Sequence, residues 1–325
     1  MTASSTKASV LDWLLEPSDP SARWHALRFL LDRPPDHPDA IEAQRAIPRS
    51  AWAKAVLHGQ QPDGSWARGK TSRPQYAATA HRLAALADLG MPGDDPGVSA
   101  ACELLLERTE LSGEGFCARQ TKPKVPHECG QGAMLFFFNH FGYGADKRVK
   151  AAADWLLANQ MLDGGWNCAH HPKGRLQPDG VIRMDHECSL DRPHHKSSLF
   201  TTMAVVKGLA VMRRPPKRAI ARGVEFILQH RVHRARNSRR AIYRWPPQLN
   251  FLGGGYDGLQ PLRVLAMAGG RPDERLDEAL TYLESRAVDG RWPADNAGRD
   301  AGAPNKLITA HALHVLRVLR PVTAS

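Results

Sequence analysis

The chain has 325 residues, with 44 Lys and Arg against 33 Asp and Glu, and a formal charge of +11. With 42% hydrophobic and 24% charged residues it has the composition of a globular protein rather than a disordered one, and no apolar run approaches the ~18 residues of a membrane span. The charge is local: Arg213 to Arg244 holds eleven basic residues against one acid, Glu225, so it describes a segment and argues against a specific nucleic-acid partner.

In chain order, the apolar spacing predicts six pairs of helices. An N-terminal pair falls near 8–16 and 20–32, the second opening at Asp19-Pro20. First helices follow near 39–59, 95–109, 146–160, 216–230 and 272–287, with partners near 74–90, 128–142, 195–212, 256–269 and 304–320. Asp95-Pro96 and Pro272-Asp273 read as helix starts, and Gly90, Gly142 and Gly269-Gly270 as stops. No alternating strand pattern stands out. Residues 1–35 form an N-terminal hairpin packing on a domain that spans 36–325 and is continuous with it. The N-terminus is polar and lacks the apolar stretch of a secretory signal. Five cysteines in a chain of this length point away from a disulfide framework and towards a cytoplasmic protein.

One phrase recurs between the paired helices. Gln60-Gln61-Pro62-Asp63-Gly64-Ser65-Trp66 and Gln160-Met161-Leu162-Asp163-Gly164-Gly165-Trp166 fit Q-x-x-D-G-x-W. Arg286 to Trp292 keeps all but the Gln, and Glu110 to Phe116 is a looser copy. These repeats resemble those of the prenyltransferase/squalene-oxidase repeat proteins, which include class II terpenoid cyclases and the β-subunits of protein prenyltransferases. The resemblance covers about residues 50–320 and implies an all-α fold: an α/α toroid of about six hairpins, first helices outside and second helices inside. It also implies an apolar or isoprenoid-like small molecule in a central cavity. The acidic D-x-D-D motif of the class II cyclases is not present; Asp94-Asp95 precedes a helix and reads as a cap.

Protein prenyltransferases hold zinc at the toroid mouth, and this chain has thiols and imidazoles in comparable places. Cys168 follows Trp166, Cys129 begins a second helix, and Cys188 and His195 precede another. In a toroid these positions gather at one rim. The expectation is a zinc site of Cys129, Cys168 and Cys188 completed by His195 or His311, with Asp185 or Glu187 orienting a ligand or moving a proton. The alternative is that the cysteines are small buried hydrophobes and that His311, like His81 and His314, is a core or rim histidine. Residues 167–195 make a long loop, which is a lid over the site or an exposed insertion. Trp166, Trp245 and Tyr256 are candidates to touch substrate, against the commoner role of aromatic packing. Arg234, Arg236 and Arg239 are candidates to bind an anion, against a solvated helix end favoured by the macrodipole. The reading of function is thus a metal-dependent transferase, cyclase or lyase; the alternatives are a non-catalytic toroid binding a ligand or a protein partner, and nucleic-acid binding.

Overall fold

The computed structural model describes residues 10–66, 75–111, 116–118, 128–167, 175–176, 182–183, 197–235, 240–241, 249, 257–295 and 303–320. The helices are α1 (10–15), α2 (Pro20–Phe29), α3 (Pro38–Ala46), α4 (Ala51–Leu57), α5 (Gln75–Asp88), α6 (Pro96–Arg108), α7 (Glu128–His140), α8 (Lys147–Ala158), α9 (Leu199–Ala210), α10 (Lys217–Gln229), α11 (Gln260–Met267), α12 (Asp277–Ser285) and α13 (Lys306–Leu319). Two short antiparallel ribbons decorate them, Thr109–Leu111 with Phe116–Ala118 and Arg175–Leu176 with Ile182–Arg183. The looser repeat copy therefore departs from the expected turn: Leu111 pairs across a ribbon with Phe116.

The fold is an α/α toroid. Helices α5, α7, α9, α11 and α13 each pack on the next, and α13 packs on α2. The ring closes between α2 and α5, where His25 Nε2–H donates to the carbonyl of Asp88 at 2.9 Å. There a Cβ on Gly90 would stand 2.5 Å from the Trp24 ring. Inner and outer helices differ in burial as a ring demands. On inner α9, Thr201 to Met203 and Val205 to Leu209 are all buried, whereas outer α10 buries only Ile220, Gly223, Phe226 and Ile227. Inner α7 and α9 approach closely through glycine. A Cβ on Gly132 would lie 2.6 Å from the Ala204 backbone, and one on Gly208 2.3 Å from the Gly132 carbonyl.

The repeat phrase builds three of the hairpin corners. Gly64, Gly164 and Gly290 take φ of +83°, +92° and +71°, where a side chain is strained. The side chain of Gln60 spans two carbonyls, Gly64 at 3.0 Å and Gly97 at 2.8 Å, and Gln160 does the same with Gly164 and Ala219. Each Gln thereby ties its own turn to the next outer helix. The Trp backbone N–H then bonds a threonine hydroxyl on the inner helix: Trp66 to Thr79 at 3.2 Å, Trp166 to Thr202 at 3.0 Å, Trp292 to Thr309 at 2.9 Å.

The first outer helix, expected as one stretch over 39–59, is broken. Pro48 has no N–H to continue it, a 3-10 turn takes Ile47–Arg49, and Ser50 caps a fresh start by accepting from Ala53 N. The N-terminal hairpin is held to the last one through polar groups. Trp13 lies under Arg291 and Lys306, Lys306 pairs with Glu16 at 2.6 Å, and Arg317 pairs with Asp32. A small apolar cluster of Val10, Leu14, Ala26 and Ala310 backs this seam.

Candidate functional site

Charged residues belong on outer faces, so a charge buried among the inner helices stands out. Asp88, the last residue of α5, receives both Lys207 of α9 and Arg263 of α11. Lys207 Nζ lies 2.7 and 2.8 Å from the two carboxylate oxygens, and Arg263 Nη2 lies 3.1 Å from one. Both cations are buried, at 7% and 8% exposure, and the Lys207 ammonium stands 3.8 Å from the centre of the Phe136 ring.

Three histidines surround this cluster, one from each of α2, α7 and α13. His140 Nε2–H donates to the carbonyl of Met91 at 2.9 Å. His311 and His25 meet edge to face at 4.3 Å. Five separate inner helices, together with the end of α7, thus send polar side chains to one place.

The electrostatics follow from burial. Desolvation acts to raise the Asp88 carboxyl, but Lys207 and Arg263 outweigh it and hold the group below the usual aspartate value. Burial lowers Lys207, with Asp88 opposing. Burial first, then the charge of Arg263, pushes His25 down to about 3 and His311 well below its ordinary value. His140 is lowered by burial too. At neutral pH the cluster is therefore an ion group ringed by uncharged imidazoles. Asp257, which caps α11 by accepting from Leu259 N and Gln260 N at 2.8 and 2.6 Å, belongs to the same field. Burial lifts it to about 6, against the pull of those two N–H groups and of Arg263. It is a carboxylic acid that exchanges its proton close to neutrality.

The residues expected from sequence distribute differently. Trp166 is fully buried, its indole N–H donating to Leu156 O at 2.7 Å and its ring packed against Gly223. The ring has no exposed face for a substrate, because the repeat uses it to seal the hairpin. Arg234, expected to bind an anion, already faces one: its Nε donates to Glu278 at 2.9 Å. Cys129 is the second residue of α7 and half-buried, and His311 lies in the imidazole group above. Among the described residues no three His, Cys, Asp or Glu side chains form a group able to hold a metal. Cys168, Asp185, Glu187, Cys188, His195, Arg236, Arg239, Trp245 and Tyr256 lie outside the described residues.

Sequence reasoning missed Asp88, Lys207, Arg263, His25, His140 and Asp257. The available signal was Lys207 itself, a charge set between Val205-Val206 and Gly208-Leu209 on a helix that carries no other charge.

No protein-family model matches the chain, and no curated protein is similar to it in sequence. Among solved structures it is similar to a protein from Actinoplanes, at 16% identity and a TM-score of 0.44 over 92% of this chain and 89% of that one. It is also similar to variants of the type II terpene cyclase MstE from Scytonema. One is in complex with merosterolic acid A as product (12% identity, TM-score 0.47, 84% of this chain, 72% of that one). Another is in complex with geranylgeranyl dihydroxybenzoate as substrate (15% identity, TM-score 0.45, 92% of this chain, 86% of that one).

Proposed function

We propose that the chain is an enzyme that holds an apolar, isoprenoid-like small molecule inside the ring and carries out proton transfer on it at the buried cluster. The observation that carries this reading is the convergence of Asp88, Lys207, Arg263, Asp257 and three neutral histidines within a ring of apolar helices. A cluster of this kind is costly to bury, and its groups are suited to chemistry. Asp257, with a pKa of about 6, gives up a proton near neutrality, while the imidazoles, held below their ordinary value, stay uncharged beside it. Phe136 and Trp24 supply aromatic surface beside them.

The test is turnover of a panel of linear isoprenoid substrates by purified protein, read by mass spectrometry, with Asp257→Asn alongside. The expected result is product from the wild type and a loss of ~100-fold or more in the variant, the usual size of a general-acid contribution. Binding without any product would leave a non-catalytic ligand-binding toroid, a reading favoured by the way the same ion group ties α5, α9 and α11 together.

We further propose a zinc site at the mouth of the ring, held by Cys129, Cys168 and Cys188 with His195 or His311. The donor set suits the metal, since thiolates with an imidazole are zinc's preferred partners. Zinc there would lower the pKa of a bound thiol or water. Elemental analysis of the purified chain should find about one zinc, lost in Cys168→Ser; metal-free protein removes this site and leaves the buried cluster standing.

A further inference from the structure

His25 and Ser21 stand one helical turn apart on α2, so their side chains share a face. Helical side chains lean towards the N-terminus, so the two side chains lie on neighbouring turns of that face. The His25 tautomer is fixed by its partner. Nε2 lies 2.9 Å from the Asp88 carbonyl oxygen, which only accepts, so Nε2 carries the proton and Nδ1 is a bare lone pair. Burial keeps the ring uncharged. Nδ1 is buried and, among the described residues, meets no donor; the Ser21 hydroxyl, fully buried, likewise has no partner.

Two orphaned polar atoms on one helix face are costly unless something completes them. They are complementary to a single chemical group. Nδ1 requires a donor, and the serine O–H offers one to whatever oxygen sits there. A carboxylate, a diphosphate or a ketone has no proton for Nδ1. A hydroxyl both gives and accepts. The surroundings fit an apolar body attached to it: Phe29 stacks on His25 at 5.5 Å and Trp24 meets it edge-on at 4.8 Å. His25 also sits where α2 meets α5 and α13, beside the ion cluster.

We propose that Ser21 and His25 recognise a hydroxyl group, so that the apolar molecule held in the ring is an alcohol or a phenol. This rests on the ring-interior reading above. The same hydrogen bonds would suit a resident water, and the experiment separates the two.

Geraniol, farnesol and geranylgeraniol are titrated against the full chain by calorimetry, each beside its methyl ether, which keeps length and apolarity but lacks the proton. The expected result is one chain length at which the alcohol binds ~10-fold tighter than its ether, the ratio that one satisfied buried hydrogen bond gives. In His25→Gln, which can keep an N–H towards Asp88 but has no acceptor nitrogen at the Nδ1 position, alcohol and ether should bind within about twofold of each other. Should that variant not fold, nitrogen NMR of histidine-labelled wild type gives the same answer. The Nδ1 signal of His25 should shift with the alcohol and stay in place with the ether. Alcohol and ether binding alike in the wild type would mean a resident water, and would overturn the hydroxyl assignment alone. No binding by either at any length would overturn it together with the ring-interior reading.

Discussion

Lys207 shows how a single residue binds the ring together and why its removal is asymmetric. Its ammonium is buried between the Asp88 carboxylate and the Phe136 ring. Replacing a buried ion pair whole is often tolerated, whereas removing one partner strands the other. Lys207→Met leaves Asp88 with Arg263 as its remaining cation, and should destabilise the fold by about 3 kcal/mol in urea unfolding. Adding Asp88→Asn should recover part of that loss. A single variant as stable as wild type would mean that Arg263 alone satisfies the carboxylate. None of these partnerships was legible in the sequence: Asp88 and Lys207 are 119 positions apart, Asp88 and Arg263 175 apart. What the sequence did carry was the oddity of a lysine in an apolar helix.

Among the elements, legibility followed local chemistry. The pairing of helices was readable because burial repeats with helical period, and the corners because Asp-Gly demands a left-handed residue before the aromatic anchor. The three threonines that receive the Trp N–H groups come 13, 36 and 17 residues later, so no fixed spacing announces them. The break at Pro48 was readable in principle from the proline alone. The ribbon pairing Leu111 with Phe116 was not, since its residues mimic a degenerate repeat. Trp166 illustrates the limit for site residues: an aromatic at a repeated position marks packing as readily as binding, and only its full burial and its bond to Leu156 decide between them.

For the whole molecule the buried imidazoles set a pH dependence. His25 is held at about 3, and His140 and His311 also lie below the ordinary 6.5. In the unfolded chain they protonate first as pH falls, so stability is complete above about 6.5 and declines below it, by up to ~1.4 kcal/mol per pH unit for each proton. Asp257 acts in the opposite sense. Raised to about 6, it takes up its proton in the fold before the unfolded chain does, and offsets one histidine between about 6 and 3.8. The urea midpoint should therefore fall steadily from pH 6.5 to pH 4.5. A flat midpoint across that range would mean the imidazoles reach solvent in the folded state.

By itself the sequence determined an all-helical chain of paired elements with glycine corners and aromatic anchors, because periodicity, turn conformation and capping are local properties of the backbone. It also confined the excess charge to one segment. Tertiary structure decided which polar groups leave water. Closing the ring brings α2, α5, α9, α11 and α13 together with the end of α7, and so collects side chains more than a hundred positions apart into one low-dielectric volume. There an aspartate becomes an acid near neutrality and histidines stay uncharged, because the cost of desolvation depends on position in the fold and not on neighbours in the chain.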